Sequence, residues 1–476
     1  MFDVLVIGGG VIGGCVLREL SKYSLSVCMI EKESDVAMGA SRANSGIVHA
    51  GFDAKVGSLK AKFNVLGHAM MEDYTKELGV KFERNGSLVV AFSKEELNAL
   101  YELKERGKKN GVQKLRILNK EELKEIEPNL SNNAVGALYA PTAGIVCPYK
   151  LAIATIGNAM DNGAKLVLDF ECESITKNGD FFSVKSKDDR EIFSRIIINC
   201  AGLGAQKIAN MAGDFSFQVK ARRGEYLLLD KNQSGFVKRT LFFAPTEKGK
   251  GILVSPTVDG NIILGPTADE VEENFTDTTT FGLSQIQDKA KVMTPNPKLS
   301  EVITSFAGAR AYCDRHDFIV EESTVVRGLI NCAGIESPGL TSAPAIAKYV
   351  VEDLVLKDVE GVKKEDFNPT RRPDDFFAKL DVDDKNEIIK REPSYGRIVC
   401  RCEKITEGEI VRAIKVNPKA TTIDGVKRRV RAGMGRCQGG FCQPQIMEII
   451  ARENNLSVFD INKGSKGSYI VKEITK

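Results

Sequence analysis

The N-terminal stretch of the chain constrains the fold more than any other. An apolar run leads directly into the motif Gly8-x-Gly10-x-x-Gly13, a helix-like segment follows, and a second apolar run ends at Glu31. In a strand–loop–helix–strand unit of this kind, the glycines allow a tight turn, close approach of backbone to a pyrophosphate, and close packing of helix on strand. The acid at the end of the second strand accepts hydrogen bonds from a ribose. The stretch therefore predicts a dinucleotide site, with NAD and FAD both open.

Length and composition bound the class of protein. With 476 residues the chain is too long for a single core, so two or three domains are expected. The net charge of +3 favours neither a nucleic-acid partner nor a membrane surface. No run of about 18 or more apolar residues is present, so no transmembrane span is expected. The first strand-like run begins at Phe2 and leaves no room for a signal peptide, which predicts a cytoplasmic location.

A glycine-rich segment, residues 39–51, contains His49, one of only three histidines. Its small polar residues are typical of a surface loop, whereas the apolar pair just before His49 indicates backbone packed against a flat ligand. Both interpretations stay open on the residues alone. A helix is predicted over residues 58–78, where apolar residues recur at three- and four-residue spacing.

The tetrapeptide Asn-Cys-Ala-Gly occurs twice, at residues 199–202 and 331–334. Each copy ends an apolar run that is typical of a strand. We therefore interpret the copies as two loops that converge on one ligand at the carboxyl edge of a parallel sheet. Chance repetition of small residues is the alternative.

The pattern of apolar residues changes between these two copies. Residues 216–324 hold several short apolar runs separated by turn residues, which favours an antiparallel sheet in a separate domain. We therefore predict an α/β fold (α+β overall), in which a Rossmann-like dinucleotide-binding domain carries an inserted antiparallel-sheet substrate domain. The predicted limits are residues 1–80, 145–215 and 325–357 for the Rossmann-like domain, 81–144 and 216–324 for the substrate domain, 358–394 for a linker, 395–456 for a small helical C-terminal domain and 457–476 for a tail.

Four of the eleven cysteines crowd into the C-terminal region, as Cys400-x-Cys402 and Cys437-x4-Cys442. In a reducing compartment such a group favours metal over disulfides. The residues alone leave three alternatives, namely a [2Fe–2S] cluster, a structural zinc and redox-active disulfides. A basic run at residues 427–431 either offsets an anionic cluster, docks an acidic partner or forms a solvated helix face.

Together these residues resemble the FAD-dependent oxidoreductases of the D-amino acid oxidase superfamily. The glycine motif with Glu31, the loop 44–51 and the segment 334–341 carry this resemblance, within which the glycerol-3-phosphate dehydrogenase and L-2-hydroxyglutarate oxidase branches look most similar. The segment from Cys400 to Cys442 is similar to the bacterioferritin-associated-ferredoxin-like [2Fe–2S] domain. The resemblance implies that the Rossmann-like domain binds FAD and that the small C-terminal domain binds an iron–sulfur cluster.

The resemblance also implies roles for individual residues. The implied FAD contacts are Gly8, Gly10, Val11, Ile12, Gly13, Glu31, Lys32, Ser41, Asn44, Ser45, Gly46, Cys172, Ala201, Gly202, Gly334, Gly339, Leu340 and Thr341. The implied cluster ligands are Cys400, Cys402, Cys437 and Cys442.

The implied reaction oxidises the secondary alcohol of a small anionic substrate by hydride transfer to flavin N5. Such a reaction needs a base for the hydroxyl proton, and His49 is the candidate because histidine titrates near working pH; a histidine that only orients the loop is the alternative. It also needs cations for the substrate's acid group. The candidates are Arg222, Arg223 and Arg310, since a guanidinium grips carboxylate or phosphate bidentately, and ordinary surface arginines are the alternative. We assign Arg310 to the catalytic set together with His49.

The sequence constrains the substrate and the electron acceptor less than it constrains the cofactors. The pairing of domains favours sn-glycerol 3-phosphate, oxidised to dihydroxyacetone phosphate, whereas residues 337–341 look more like the L-2-hydroxyglutarate branch. Glu336 would repel a phosphate if it faced the pocket. No second glycine motif is present, so we expect electrons to pass through the cluster to a second redox subunit, an NAD-linked flavoprotein. A different class of function also stays open, that of an electron-transfer subunit in a multi-subunit flavoprotein complex.

Overall fold

The computed structural model describes residues 1–245, 251–272 and 275–473. Its strands are β1 Phe2–Ile7, β2 Val27–Ile30, β3 Ile47–Val48, β4 Phe82–Glu83, β5 Ser87–Ala91, β6 Arg116–Leu118, β7 Gly136–Ala140, β8 Gly144–Val146, β9 Lys165–Val167, β10 Cys172–Asn178, β11 Phe181–Ser186, β12 Glu191–Asn199, β13 Val219–Leu229, β14 Thr240–Phe243, β15 Leu253–Pro256, β16 Ile262–Gly265, β17 Asp269–Val271, β18 Val302–Cys313, β19 Ile319–Glu322, β20 Leu329–Ala333, β21 Ile398–Cys400 and β22 Ile405–Thr406. Its α-helices are α1 Val11–Leu20, α2 Leu59–Glu77, α3 Lys94–Lys109, α4 Lys120–Ile126, α5 Pro148–Asp161, α6 Ala205–Met211, α7 Thr280–Met293, α8 Gly339–Tyr349, α9 Leu356–Asp358, α10 Phe376–Lys379, α11 Val382–Arg391, α12 Glu407–Lys415, α13 Ile423–Val430 and α14 Gln443–Asn454. The helix predicted over residues 58–78 is confirmed as α2.

An eight-stranded sheet is built around β1, which pairs in parallel with β2 on one side and β12 on the other. Strand β20 adds in parallel to the end of β12, and β9 adds in parallel to β2. Successive β1 residues point to opposite faces, so Val4 and Val6 enter the core beneath α1, α5 and α8, while Leu5 and Ile7 enter a second core on the other face. The carboxyl ends of all five parallel strands therefore open at one edge of the sheet.

A nine-stranded sheet forms the predicted substrate domain, with β13 and β18 paired along almost their whole length. It is antiparallel as predicted, except that β5 and β14 pair in parallel. This pair joins the two chain segments that the sequence assigned to this domain. The predicted domain limits stay a prediction, but β19 pairs with β20 and so belongs to the eight-stranded sheet, although it lies within residues 216–324.

The C-terminal domain packs helices α12, α13 and α14 around a small apolar core of its own. Its basic run does not form the solvated or partner-docking face that two of the sequence-based alternatives described. Arg428 and Arg429 are buried against the carboxylate of Asp35, at 2.5 Å and 2.9 Å. Arg431 binds Asp259 in the substrate domain at 2.8 Å. The run therefore fixes the C-terminal domain to both other domains.

No helix among residues 1–245, 251–272 and 275–473 is long and apolar enough to cross a membrane.

Candidate FAD and iron–sulfur site

The glycine motif turns the chain from β1 into α1 at the open edge of the sheet. Gly8 has a φ of +109°, and a Cβ there would lie 2.5 Å from the carbonyl oxygen of Cys200. A Cβ on Gly13 would lie 2.1 Å from the carbonyl oxygen of Gly8, so only glycine lets the helix approach the strand this closely. Helix α1 has no side-chain cap at Gly10, and its first residues line a cavity. This open helix N-terminus suits the pyrophosphate of a dinucleotide.

Glu31 lies beside this turn, as the motif predicts. Its Oε2 accepts the backbone N–H of Gly9 at 2.6 Å, and its Oε1 accepts the N–H of Glu33 at 3.0 Å. Burial raises the pKa of Glu31, and these two backbone donors act in the opposite direction. Each carboxylate oxygen keeps acceptor capacity toward the cavity, which is the capacity that a ribose diol requires.

The loop that follows is anchored on its other side. Ser41 accepts the N–H of Val11 through its hydroxyl at 2.9 Å. Thr341 accepts the backbone N–H of His49 at 2.9 Å, and the Asn64 amide donates to the carbonyl of His49 at 2.8 Å. The loop is therefore held against the cavity by α1, α2 and α8, and the sequence-based alternative of an ordinary surface loop does not describe it.

A cavity of about 1690 Å³ lies between the eight-stranded sheet and the substrate domain. It exceeds the roughly 300–1,000 Å³ of a pocket for one drug-sized ligand, so it has room for a dinucleotide together with a small substrate. The sequence-predicted residues that line it are Gly8, Gly10, Val11, Ile12, Glu31, Lys32, Ser41, Asn44, Ser45, His49, Cys172, Ala201, Gly202, Arg222, Arg310, Gly339 and Leu340.

Four residues predicted as FAD contacts, three glycines and one threonine, do not line this cavity but pack behind the residues that line it. Gly13 packs against Gly8, as described above. A Cβ on Gly46 would lie 2.4 Å from the carbonyl oxygen of Val146, and a Cβ on Gly334 would lie 2.4 Å from Cys313. Thr341 is fully buried, and its hydroxyl accepts the hydrogen bond from the backbone N–H of His49. The structure thus places these four residues behind the cavity lining, and their contact with FAD stays a prediction.

The two Asn-Cys-Ala-Gly segments lie side by side because β12 and β20 pair in parallel, with Asn199 opposite Asn331. The Asn199 side-chain amide donates to Asn331 Oδ1 at 2.9 Å, and Asn331 in turn donates to Asp214 at 3.0 Å. Both segments contribute to the lining of the one cavity. The interpretation of two converging loops is therefore supported by the register of the sheet.

The substrate domain presents Arg222 and Arg310 to this cavity from directly opposed positions on β13 and β18. Arg310 donates to the carbonyl of Thr267 at 2.8 Å and has no ion-pair partner among the described residues. Arg222 stacks over Tyr312 at 4.4 Å and approaches Glu270 only to 3.9 Å. Two guanidinium groups are thus placed beside each other where an anionic substrate would enter.

Arg223 was predicted as a third anion clamp, and this prediction is wrong. Side chains alternate between the faces of a strand, so Arg223 points away from the face that carries Arg222. It is buried on the far side of the sheet, where it pairs with Glu225 at 2.8 Å and approaches Asp269 at 3.6 Å.

Two cavity residues that sequence reasoning missed are Lys60 and Ser337. Lys60, in the first turn of α2, pairs with Glu336 at 2.9 Å, and both side chains are mostly buried. Glu336 does line the cavity, and Lys60 offsets its charge. Ser337 places its Oγ 3.3 Å from the Nε2 of His49. No sequence signal marks Lys60, since it lies 276 residues from Glu336 and only the fold brings the two together.

The four C-terminal cysteines meet at one end of the C-terminal domain as two close pairs. The sulfurs of Cys402 and Cys437 are 3.7 Å apart. The Cys442 thiol and the backbone N–H groups of Gly433 and Glu403 lower the pKa of Cys400 to about 6, although burial acts the other way. Four cysteines are the number and type of ligand that a [2Fe–2S] cluster takes, and backbone N–H groups beside sulfur stabilise its thiolates.

Comparisons with known proteins agree with both halves of this arrangement. The family model "FAD dependent oxidoreductase" (DAO) matches residues 3–353, and the model "BFD-like [2Fe-2S] binding domain" matches residues 398–452. The glycerol 3-phosphate dehydrogenase of Caloramator mitchellensis is 48% identical over 480 residues, which cover 100% of this chain and 99% of the relative. The mitochondrial L-2-hydroxyglutarate dehydrogenase of Bos taurus is 32% identical, over 56% of this chain and 61% of its own length.

A solved structure gives the same result for the N-terminal part. The dithionite-reduced L-α-glycerophosphate oxidase of Mycoplasma pneumoniae with FAD bound is 32% identical, has a TM-score of 0.74, and matches over 78% of this chain and 98% of its own. The predicted fold class and the predicted FAD and [2Fe–2S] cofactors are thereby confirmed. The chain is an FAD-dependent oxidoreductase that belongs to the D-amino acid oxidase (DAO) family and carries a C-terminal BFD-like [2Fe–2S]-binding domain.

Proposed function

We propose that this protein oxidises the secondary alcohol of sn-glycerol 3-phosphate to dihydroxyacetone phosphate. The observation that carries the proposal is the pair Arg222 and Arg310, which face the cavity side by side and can grip a phosphate. The relative from Caloramator mitchellensis supports this substrate over L-2-hydroxyglutarate, because it matches the chain from end to end and is named a glycerol 3-phosphate dehydrogenase. The L-2-hydroxyglutarate dehydrogenase from Bos taurus matches only 56% of the chain.

The residues of the chain divide the work of this reaction. Arg222 and Arg310 bind the phosphate and orient the substrate. Lys60 holds Glu336 at 2.9 Å and so reduces the repulsion between that carboxylate and the phosphate. His49 accepts the proton of the secondary hydroxyl at Nε2, the ring nitrogen that lies 3.3 Å from the Ser337 hydroxyl. Phe242 packs on the His49 ring at 5.9 Å and keeps the ring in its place.

The cofactors supply the rest of the chemistry, since bound FAD is a hydride acceptor and a [2Fe–2S] cluster is a one-electron carrier. Glu31 and the first turn of α1 would hold the ADP half of FAD, and the loop from Ser41 to Ser45 would bind another part of it. Cys400, Cys402, Cys437 and Cys442 would hold the cluster. We further propose that electrons leave this protein for a second redox protein, and that an NAD-linked flavoprotein fills this role.

Anaerobic mixing of the holoprotein with substrate tests the proposed function. Glycerol 3-phosphate is expected to bleach the visible absorbance of the flavin completely, with one dihydroxyacetone phosphate formed for every two electrons that the flavin and the cluster take up together. L-2-hydroxyglutarate at the same concentration is expected to bleach it far more slowly. Preferential bleaching by L-2-hydroxyglutarate would overturn the substrate, and bleaching by neither compound would favour the electron-transfer subunit.

The proposed base gives a second prediction. Replacing His49 by alanine is expected to slow flavin bleaching by glycerol 3-phosphate by about 10²–10⁴-fold, the usual contribution of a positioned base. Stopped-flow measurement of the bleaching rate at saturating substrate checks this. His68→Ala is the matched control, because His68 bonds to the carbonyl of Thr142 and does not line the cavity. A bleaching rate for His49→Ala equal to that of the control would remove His49 from catalysis.

A further inference from the structure

The residues next to the cluster cysteines in the sequence are rich in exposed positive charge. Within two positions of any of the four cysteines, the charged residues are Arg401, Glu403, Lys404 and Arg436. Arg401 and Lys404 are exposed and have no ion-pair partner among the described residues. The side chain of Arg436 is 61% exposed, although it reaches Asp230 at 3.2 Å. The exposed charged residues within two positions of the cysteines are therefore all positive.

The one acid in this set does not cancel these charges at the surface. The side chain of Glu403 is only 3% exposed, and it is bound by Lys231 at 2.7 Å and by Arg431 at 2.9 Å. Its carboxylate is thus held in the contact between the C-terminal domain and the substrate domain. An approaching protein would meet the three cations and not this acid.

A large apolar side chain beside the cysteines is also exposed. Phe441 directly precedes Cys442, and at 82% it is the most exposed large apolar side chain of the described residues. Cys402, on the neighbouring turn, is also exposed. Exposure of a phenylalanine ring to water is unfavourable, and burial in an interface removes this cost. Aromatic residues and arginines are the residue types most enriched in protein–protein interfaces.

We propose that the cluster face, formed by Arg401, Cys402, Lys404, Arg436 and Phe441, is the docking site of an acidic one-electron carrier protein. Phe441 is the apolar anchor, and the three cations steer and orient the acidic partner. Each productive encounter moves one electron from the reduced protein to the oxidised carrier, with no bond made or broken and no proton transferred. The inference rests on the proposed exit of electrons through the C-terminal domain, but neither on the identity of the substrate nor on the acceptor being an NAD-linked flavoprotein.

Binding of two carriers of opposite charge to the oxidised holoprotein tests the docking site without any substrate. Fluorescence anisotropy of labelled plastocyanin, which is acidic, is expected to show binding that weakens at least about tenfold between low and high salt. Cytochrome c, which is basic, is expected not to bind at low salt. Arg401→Glu should weaken plastocyanin binding at least about tenfold at low salt, and Phe441→Ala should weaken it several-fold at both salt concentrations.

Two controls separate this face from the overall charge of the protein. Lys94→Glu makes the same change of charge at an exposed position of α3, and Phe215→Ala removes a comparably exposed ring that is 74% accessible. Both are expected to leave plastocyanin binding unchanged. The visible absorbance of each variant confirms that it keeps its cluster, and Lys404→Glu carries the same test if Arg401→Glu loses it.

Three outcomes would overturn the proposal. They are an equal effect of Lys94→Glu and Arg401→Glu, an unchanged affinity in Phe441→Ala, and a change of cluster reduction potential in Arg401→Glu with unchanged binding. The last outcome would mean that the cations only compensate the negative charge of the cluster. Because the assay contains no glycerol 3-phosphate, its failure is distinct from a failure of the proposed function, which the flavin-bleaching experiment detects.

Discussion

Replacing Gly13 by alanine is expected to yield protein that carries no FAD after purification. The added Cβ would lie 2.1 Å from the carbonyl oxygen of Gly8, and because that neighbour is backbone it cannot rotate away. Helix α1 must move off β1, and its N-terminus moves out of register with the pyrophosphate. A misplacement of about 1 Å costs on the order of 10²-fold in activity, so loss of bound flavin and of substrate oxidation are expected together. The absorbance ratio of flavin to protein measures the first of these.

Gly396→Ala is the matched control for this variant. It makes the same chemical change in the segment before the C-terminal domain, and Gly396 does not line the cavity. A Cβ at Gly396 would lie 3.2 Å from a methyl group of Ile389, and this side chain can shift. This variant is expected to keep its flavin. Retention of full flavin occupancy by Gly13→Ala would show that the helix can shift without harm, and would contradict the role given to the glycine.

The parts of the fold that sequence reasoning predicted are those with local causes. The glycine motif and Glu31 lie within one strand–loop–helix–strand unit, so the spacing of a few residues determines their geometry. The cysteines could be read in the same way, because C-x-C and C-x4-C place each ligand close to its neighbour in the chain. In both cases, the residues that act together are also close in sequence or belong to a motif with a known spacing.

The errors have physical causes that can be named. Arg223 was assigned to the cavity next to Arg222, although neighbours on one strand point to opposite faces. The ion pair of Lys60 with Glu336 depends on contacts between α2 and the end of β20, which no local pattern encodes. The parallel pairing of β5 with β14 likewise joins segments about 150 residues apart. Long-range pairing of this kind is decided by packing, which the pattern of one segment does not contain.

The last prediction concerns the carboxylate of Asp35, which joins the C-terminal domain to the Rossmann-like domain. Arg429 binds it bidentately, with both bonds at 2.9 Å, and Arg428 binds it at 2.5 Å. All three side chains are at most 7% exposed. Removal of one partner from such a group leaves buried charges uncompensated and typically costs about 3–5 kcal/mol. Asp35→Ala is therefore expected to lower the melting temperature and to make the 358–394 segment susceptible to proteolysis.

The pH dependence of this junction follows from the charges of the two arginines. Although burial opposes them, Arg429 and Arg428 lower the pKa of Asp35 to about 2. The pKa of aspartate in an unfolded chain is about 3.9. The stabilisation of the folded protein by this ion pair is therefore complete above that pH and is lost as the pH falls through about 2. The wild-type protein is thus expected to lose stability over this range, whereas Asp35→Asn should lack this component of the pH profile.

Asp188→Asn is the matched control for the Asp35 variants. Asp188 also pairs with an arginine, Arg190, at 2.9 Å, but both side chains are largely exposed and solvent screens the pair. No measurable change in melting temperature or in proteolysis of the 358–394 segment is expected from it. If Asp35→Ala behaved like Asp188→Asn in both measurements, the C-terminal domain would have to be held by its contacts with the substrate domain, through Arg431 and Asp259.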